Sequence, residues 1–594
     1  MFVSSRLRIA LSFALLFGAF VAIFRPFFPL VQGTIGHDYS LALPSLMDGN
    51  FWFRNNGLSP PWFTPAFCAG EPFFADPQSS YYSLPQFLSF MVSPLTAAYW
   101  TLLISAASMF WGSFLLMRRV FESSVTVAIL VGGLLMFNGF LPHRLLVGHL
   151  GYHGFALVPW ITLLLLMPVR RPAGNLAAAI GVGLLLAYWV HSGFGTLMLA
   201  GGLAVLLVAL LHALNGGLLA GFFTRCVLAG VIALGLSAAK LWASFSFLAN
   251  FQRTNYLLPG APSIHDAFSM IAGALFLPSQ WAYEFGNPKL VNVQWGLAPH
   301  EWAFNFSAVA GLLTLGLIVV LVRRGTWRVP LSPRKVLLWV LLMLGLIWPV
   351  AFNVYHPAWN AFLKTVPILN SASSAVRWVI VYIPVIAVGV GLMLERARWG
   401  NAGIFAAGIC LLATVLQTAV EPRGFYLSQN YDARPIAIAD HQLRADKLTP
   451  RIEALGTSAE IQVNGNHIRL GGNDTFIAGV SQVFCYNPIF GYRLEKFSAE
   501  GLKQGSVFEE HDGFLNLKNP ACYVFPKENN CRPGDRFRAD QLAQAIHFVE
   551  YRPYIFQMSP GQLAANLVTQ GTLVLIGVAG LAVILRSFFR RGSA

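Results

Sequence analysis

Two carboxylates stand out in the segment from Gly36 to Phe90: Asp38, a few residues beyond the first apolar run, and Asp76, beside a stretch rich in proline and aromatic residues. A carboxylate at such a place can take a proton from a hydroxyl, and nearby cations can hold a phosphate. Each acid also has a structural reading, Asp38 as the cap of a helix starting near Tyr39 and Asp76, followed by Pro77, as a turn initiator. Two cations suit phosphate. Lys240 falls inside an apolar run, where a charge is costly and marks either a functional position or a lysine that snorkels or pairs with a buried acid. Arg377 opens another run with a planar fork that matches phosphate, although interfacial arginines are common. His149 and His191 suit hydrogen bonding or sugar contact, and His149 has His153 at the i, i+4 spacing of a metal pair, a spacing that by itself assigns no metal. Arg144 and Glu301 complete the substrate-binding candidates; His300-Glu301 either lines the same cavity or forms an interfacial pair beside Trp302.

The elements that must position these groups are read from composition. The chain has 594 residues, 56% hydrophobic and 11% charged, with a mean hydropathy of +0.59. Such a chain has lipid as its main solvent. Its net charge of +15 would suit nucleic acid, but the position of the charges excludes that partner. Arg6 and Arg8, Arg118 and Arg119, Arg170 and Arg171, Arg225, the group from Arg323 to Lys335, Arg396 and Arg398, and Arg586 to Arg591 fall between apolar runs on alternate loops, with Glu122 and Glu395 as the acids among them. That is the positive-inside pattern, and it accounts for the whole net charge. Twelve runs fit it, at roughly 9–31, 95–117, 125–141, 153–169, 174–190, 195–214, 226–248, 304–322, 336–353, 378–395, 402–420 and 566–585. The expected fold is therefore an all-α polytopic membrane protein of about 12 transmembrane helices, both termini cytoplasmic, the first run an uncleaved anchor.

The outer side holds four long loops, about 32–94, 249–303, 354–377 and 421–565. Interfacial helices are expected at 41–53 and 83–92. The last loop alternates apolar residues around Asn464-Gly465, a hairpin signal, with further strands expected at 475–486 and 514–525 and a helix at 540–550. The domains are thus a membrane domain, 1–420, a small β-rich extracytoplasmic domain, 421–565, and a last helix with a basic tail, 566–594. Cys522 and Cys531 suit a disulfide across a turn containing Pro526, Asn529 and Asn530, whereas a bond from Cys68 to Cys485 would tie loop to domain but cannot be judged from sequence. No Walker loop, Asp-x-Asp pair or dinucleotide fingerprint occurs, so nothing suggests a nucleotide-sugar donor.

The first outer loop resembles that of YfhO-type bacterial membrane proteins of the GT-C glycosyltransferase superfamily. The resemblance rests on Gly36 and Asp38; Pro60, Pro61 and Trp62; Gly70 and Pro72; Pro77 and Gln78; and Tyr82 and Pro85. It continues more weakly through Gly148-His149, His191, Ser237 to Arg253 and Val366 to Trp378, with Lys240 in place of a polar amide and no first Arg in the Ser-rich stretch before Arg377. It implies a GT-C-like fold in the bacterial inner membrane and transfer of a sugar from a polyprenyl-phosphate-linked donor to an envelope glycan or lipid acceptor. On that reading Asp38, and less directly Asp76, is the catalytic carboxylate. No resident cofactor is implied, and a divalent metal remains open. The rivals from other classes are a lipid or polysaccharide transporter and a noncatalytic envelope assembly factor.

Overall fold

The computed structural model describes residues 5–29, 34–36, 38–169, 171–250, 258–293, 297–323, 332–366, 369, 372, 374–421, 423–463, 465–487 and 501–591. Asn464 of the expected hairpin turn and the basic residues Arg170, Arg324 and Arg328 lie outside these.

Nine helices among the described residues are long and apolar enough to cross a membrane: Ser5–Phe27, Pro94–Arg119, Val125–Leu146, Pro172–His191, Phe222–Asn250, Pro333–Phe352, Val376–Ala397, Asn401–Ala419 and Pro560–Leu581. Three other expected spans are helical but shorter, at Leu150–Leu166, Met198–Leu214 and Ala308–Val320, and a further short apolar helix, Ile264–Phe276, lies in what sequence gave as an outer loop. Local chemistry sets the ends. Ser93, Ser124 and Ser332 each accept a first-turn N–H, which satisfies a donor the helix itself cannot. The expected first run stops early because Arg25-Pro26 tightens into a 3-10 turn. The run expected at 125–141 is broken after Met136, where the Asn138 side chain bonds the Leu135 carbonyl and the Leu141 N–H before the helix Phe140–Leu146 begins.

The short basic loops meet at one end of the bundle. The Ser124 N–H and hydroxyl both donate to Glu395 at 2.9 Å, Arg396 reaches Asn215 at 2.7 Å, and buried Arg225 donates to the Leu164, Leu165 and Met167 carbonyls and to Asn175. The last helix packs on Phe222–Asn250, where the Thr569 hydroxyl donates to the Gly235 carbonyl and accepts the Ala239 N–H.

The long loops meet at the other end. The helix expected on the membrane surface at 41–53 is Tyr39–Asn56, and it is buried, with Tyr39, Leu43, Leu46 and Phe51 in the core. Its far end is held by the outer segment: Asn55 donates to the Glu550 carbonyl, Asn56 to that of Tyr551 and Arg54 to that of Leu443. The second expected surface helix is Leu84–Ser89, capped by Ser83.

The segment 421–565 is not one β-rich sheet. Its strands are mostly two residues long and fall into small separate ladders, with helices Arg434–Arg444 and Leu542–Val549 between them. The hairpin is Ser458–Val463 with Asn466–Gly471. The strand expected at 475–486 is a 3-10 stretch, Gly472–Ala478, turned by Gly479 at φ +74° into the short strand Val480–Ser481. The strand expected at 514–525 ends at Lys518, because Pro520 starts a helical turn, Ala521–Val524. Both disulfides form: Cys522–Cys531, and Cys68–Cys485, which joins the first loop to the outer segment across 417 residues.

Candidate active site

Asp38 immediately precedes the helix Tyr39–Asn56, yet its side chain makes no capping bond. It faces another way. Oδ2 meets His149 Nε2 at 2.6 Å, and Oδ1 accepts the Tyr486 hydroxyl at 2.7 Å. Two glycines make the approach of these segments possible. Gly148, at φ +99°, lies so close to the start of the helix that a Cβ there would sit 2.6 Å from the Asp38 carbonyl carbon and the Tyr39 nitrogen; one at Gly36 would sit 2.5 Å from the Leu146 carbonyl oxygen. The Tyr39 hydroxyl, donating to the Leu145 carbonyl at 2.6 Å, locks the same junction.

Next to this pair lies a buried ion triad. Glu301 accepts Arg144 Nη2 at 2.7 Å and Arg377 through Nε at 3.1 Å and Nη2 at 2.5 Å. Burial opposes ionisation of Glu301, but the two guanidiniums outweigh it and hold the carboxyl well below the usual range. Both guanidiniums lie over the Tyr152 ring at 5.8 Å. Arg144 is fully buried and keeps Nε and Nη1 without a partner among the described residues. One carboxylate for two guanidiniums leaves the triad with a surplus positive charge.

His300 joins the two groups. Its ring centroid is 5.3 Å from that of His149, and Nε2 is 3.8 Å from Glu301. Burial, helped by the Arg144 charge, pulls its pKa well below the ordinary value, so the ring is neutral at neutral pH. Asp38, His149 and His300 can bring ligand atoms within 4.8 Å of one another, and both imidazole Nδ1 atoms lack hydrogen-bond partners among the described residues. A carboxylate with two imidazoles is a donor set that suits a divalent transition ion, which would replace the direct bond between Asp38 and His149.

The structure thus brings together five of the residues singled out from sequence: Asp38, His149, Arg144, Glu301 and Arg377. The other three form a second cluster. Lys240 is buried in its helix and donates to the Asp76 carbonyl at 2.8 Å and to the Ser79 hydroxyl, while the Asp76 carboxylate accepts the Gln78 N–H at 2.7 Å, an Asx turn. His191 faces Phe74 and Tyr82 with Nε2 3.4 Å from the Leu236 carbonyl. These contacts hold the first loop onto the bundle. His153 donates or accepts at Tyr188, away from His149's partner, so the i, i+4 pair does not converge. Tyr486 is the contact that sequence reasoning missed. Its one signal was its place beside Cys485.

No protein-family model matches the chain, and no curated protein matches it. The chain is similar to a solved oligosaccharyltransferase. That structure, the Archaeoglobus fulgidus enzyme in complex with zinc and sulfate, aligns with 72% of this chain at 15% identity and a TM-score of 0.34. The chain covers 55% of that enzyme's length, and a likeness of this degree assigns no residue and no activity.

Proposed function

We propose that this chain is an integral-membrane glycosyltransferase that moves a sugar from a polyprenyl-phosphate-linked donor to a hydroxyl of an envelope glycan or lipid on the outer face of the membrane. The observation that carries the reading is the Asp38 carboxylate, turned away from its own helix and held beside a buried pair of guanidiniums with one surplus positive charge. In the step, Asp38 takes the proton of the acceptor hydroxyl as its oxygen bonds to the sugar's anomeric carbon. The bond from that carbon to the phosphate oxygen breaks, and the departing polyprenyl phosphate keeps the electron pair. Arg144 and Arg377 stabilise the charge that develops on it. His149 and Tyr486 orient Asp38, and Lys240 with Asp76 keeps the loop seated. A divalent ion held by Asp38, His149 and His300 would supply further positive charge at the phosphate.

The test is Asp38→Asn. Transfer to envelope glycan, read by mass spectrometry of glycans and lipid-linked sugars in cells, is expected to disappear while the donor accumulates and the protein still inserts. Wild-type transfer by this variant would overturn the base assignment. An effect seen only on deletion of the whole chain would favour a transporter or an assembly factor.

A further inference from the structure

The outer segment carries a cavity of about 400 Å³ beside the Asp38 constellation, a size that falls among small-molecule sites. It opens to solvent, and three pieces of chain line it: the first turn of the helix after Asp38, through Ser40; the strand Tyr431–Asp432, which pairs with Thr34–Ile35; and the hairpin strand Asn466–Gly471 with the turn that follows. We propose that this cavity is the subsite for an uncharged carbohydrate, the acceptor of the proposed transfer, a substrate assignment that rests on the glycosyltransferase reading.

The lining decides the class. Asp474 is buried; Oδ1 accepts the Tyr431 hydroxyl at 2.8 Å, and the other oxygen has no protein donor among the described residues. Asp432 is the second carboxylate, tied by Arg434 at 2.8 to 2.9 Å. With Asp432 paired to Arg434 and one Asp474 oxygen short of a donor, the two acids offer acceptors, which a sugar hydroxyl satisfies and a phosphate does not. Asn430 and Arg469, both exposed and lining the same space, supply donors, and Ser40 supplies a hydroxyl. Closely spaced donors and acceptors with a tyrosine among them suit a ring bearing adjacent hydroxyls. Burial, with Asp432 adding to it, pushes the Asp474 carboxyl up to about 7, so near neutral pH it both donates and accepts.

The cavity is joined to the candidate base. Asn473, the neighbour of Asp474, holds the Tyr486 main chain at both its N–H, 2.9 Å, and its carbonyl, 2.8 Å. The Tyr486 hydroxyl in turn holds Asp38. Ser40 stands two residues after Asp38 on the same chain. A sugar seated in the cavity is therefore bounded by the elements that set the position of the carboxylate.

The experiment is saturation-transfer NMR on the purified full chain in detergent, with a set of neutral di- and trisaccharides of hexoses and N-acetylhexosamines as probes and inorganic phosphate as competitor. At least one neutral sugar is expected to show transfer that phosphate does not displace. In Asp474→Asn and in the surface variant Arg469→Ala, its binding should weaken by about tenfold, the loss of one charge-assisted hydrogen bond; in Asp38→Asn it should persist. Absence of a signal for every sugar, displacement by phosphate, or wild-type binding by both cavity variants would overturn the proposal. Binding that survives while Asp38→Asn still transfers sugar would leave the cavity standing and remove the base assignment instead.

Discussion

Glu301 is the residue on which the charge balance of the site turns. It faces two guanidiniums, one of them fully buried, and removing it would leave buried Arg144 without the carboxylate it is bonded to. Glu301→Gln is therefore expected to destabilise the protein by about 3–5 kcal/mol, the usual cost of breaking a buried ion pair, whereas loss of the solvent-screened surface pair Arg434–Asp432 should leave stability nearly unchanged. Thermal unfolding in detergent would compare the two, and equal midpoints for Glu301→Gln and wild type would sink the argument. A second residue carries a pH dependence. Asp48, buried in the first-loop helix, has its carboxyl pushed up to about 7 by burial, with the Thr64 hydroxyl pulling less strongly the other way. The folded chain then holds a proton that the unfolded chain releases from about pH 4. This contribution to stability is full below pH 4 and is lost as pH rises to about 7, amounting at most to about 4 kcal/mol. Asp48→Asn, which cannot ionise, is expected to show a smaller fall in melting temperature between pH 4 and 7 than wild type. An unchanged slope would mean that Asp48 ionises normally in the fold.

At the scale of elements, the site depends on two backbones that touch. Gly148→Ala would place a methyl group against the peptide joining Asp38 to Tyr39 at a positive φ, so it must move either the turn or the start of the helix. The expected result is a loss of transfer of at least about 10²-fold, as a misplaced reacting group gives, with the membrane bundle still folded; transfer within about twofold of wild type would show that the junction has slack. This junction also explains what could be read in the sequence. Gly36, Asp38 and Gly148-His149 were visible as short motifs because chain contact there demands particular residue types. The apolar runs were visible because lipid imposes length and hydropathy on each helix separately. Tyr486 was not, since its role comes from being carried to Asp38 by the Cys68–Cys485 bond and the Asn473 clamp, both set by distant chain. For the same reason Lys240 read either as a phosphate-binding cation or as a lysine that snorkels or pairs with a buried acid, while the fold bonds it to the main chain of the loop that sequence offered as a separate candidate. The outer segment was expected to be β-rich because alternation marks single strands and says nothing about whether they join: among the described residues the hairpin around Gly465 is the longest ladder.

For the whole molecule, the sorting of charge gives an orientation that can be measured. The loops between the apolar runs fall into two sets by sequence, basic and short against neutral and long, and the fold keeps the sets apart: Glu395 meets Ser124 and Arg396 meets Asn215 at one end, whereas Asp38, His149, Glu301 and Arg377 meet at the other. The positive-inside rule then predicts the first set in the cytoplasm and the candidate site outside. Two exposed positions report on this, Leu218 in a loop of the basic set and Asp446 in the outer segment. The background is low, because Cys68, Cys485, Cys522 and Cys531 are bonded and Cys226 and Cys410 lie in membrane helices. In intact spheroplasts a membrane-impermeant maleimide is expected to label Asp446→Cys at once and Leu218→Cys only after permeabilisation. The opposite pattern would place the Asp38 constellation in the cytoplasm, where a lipid-linked sugar presented on the outer leaflet could not reach it, and the proposed transfer would fall with the orientation.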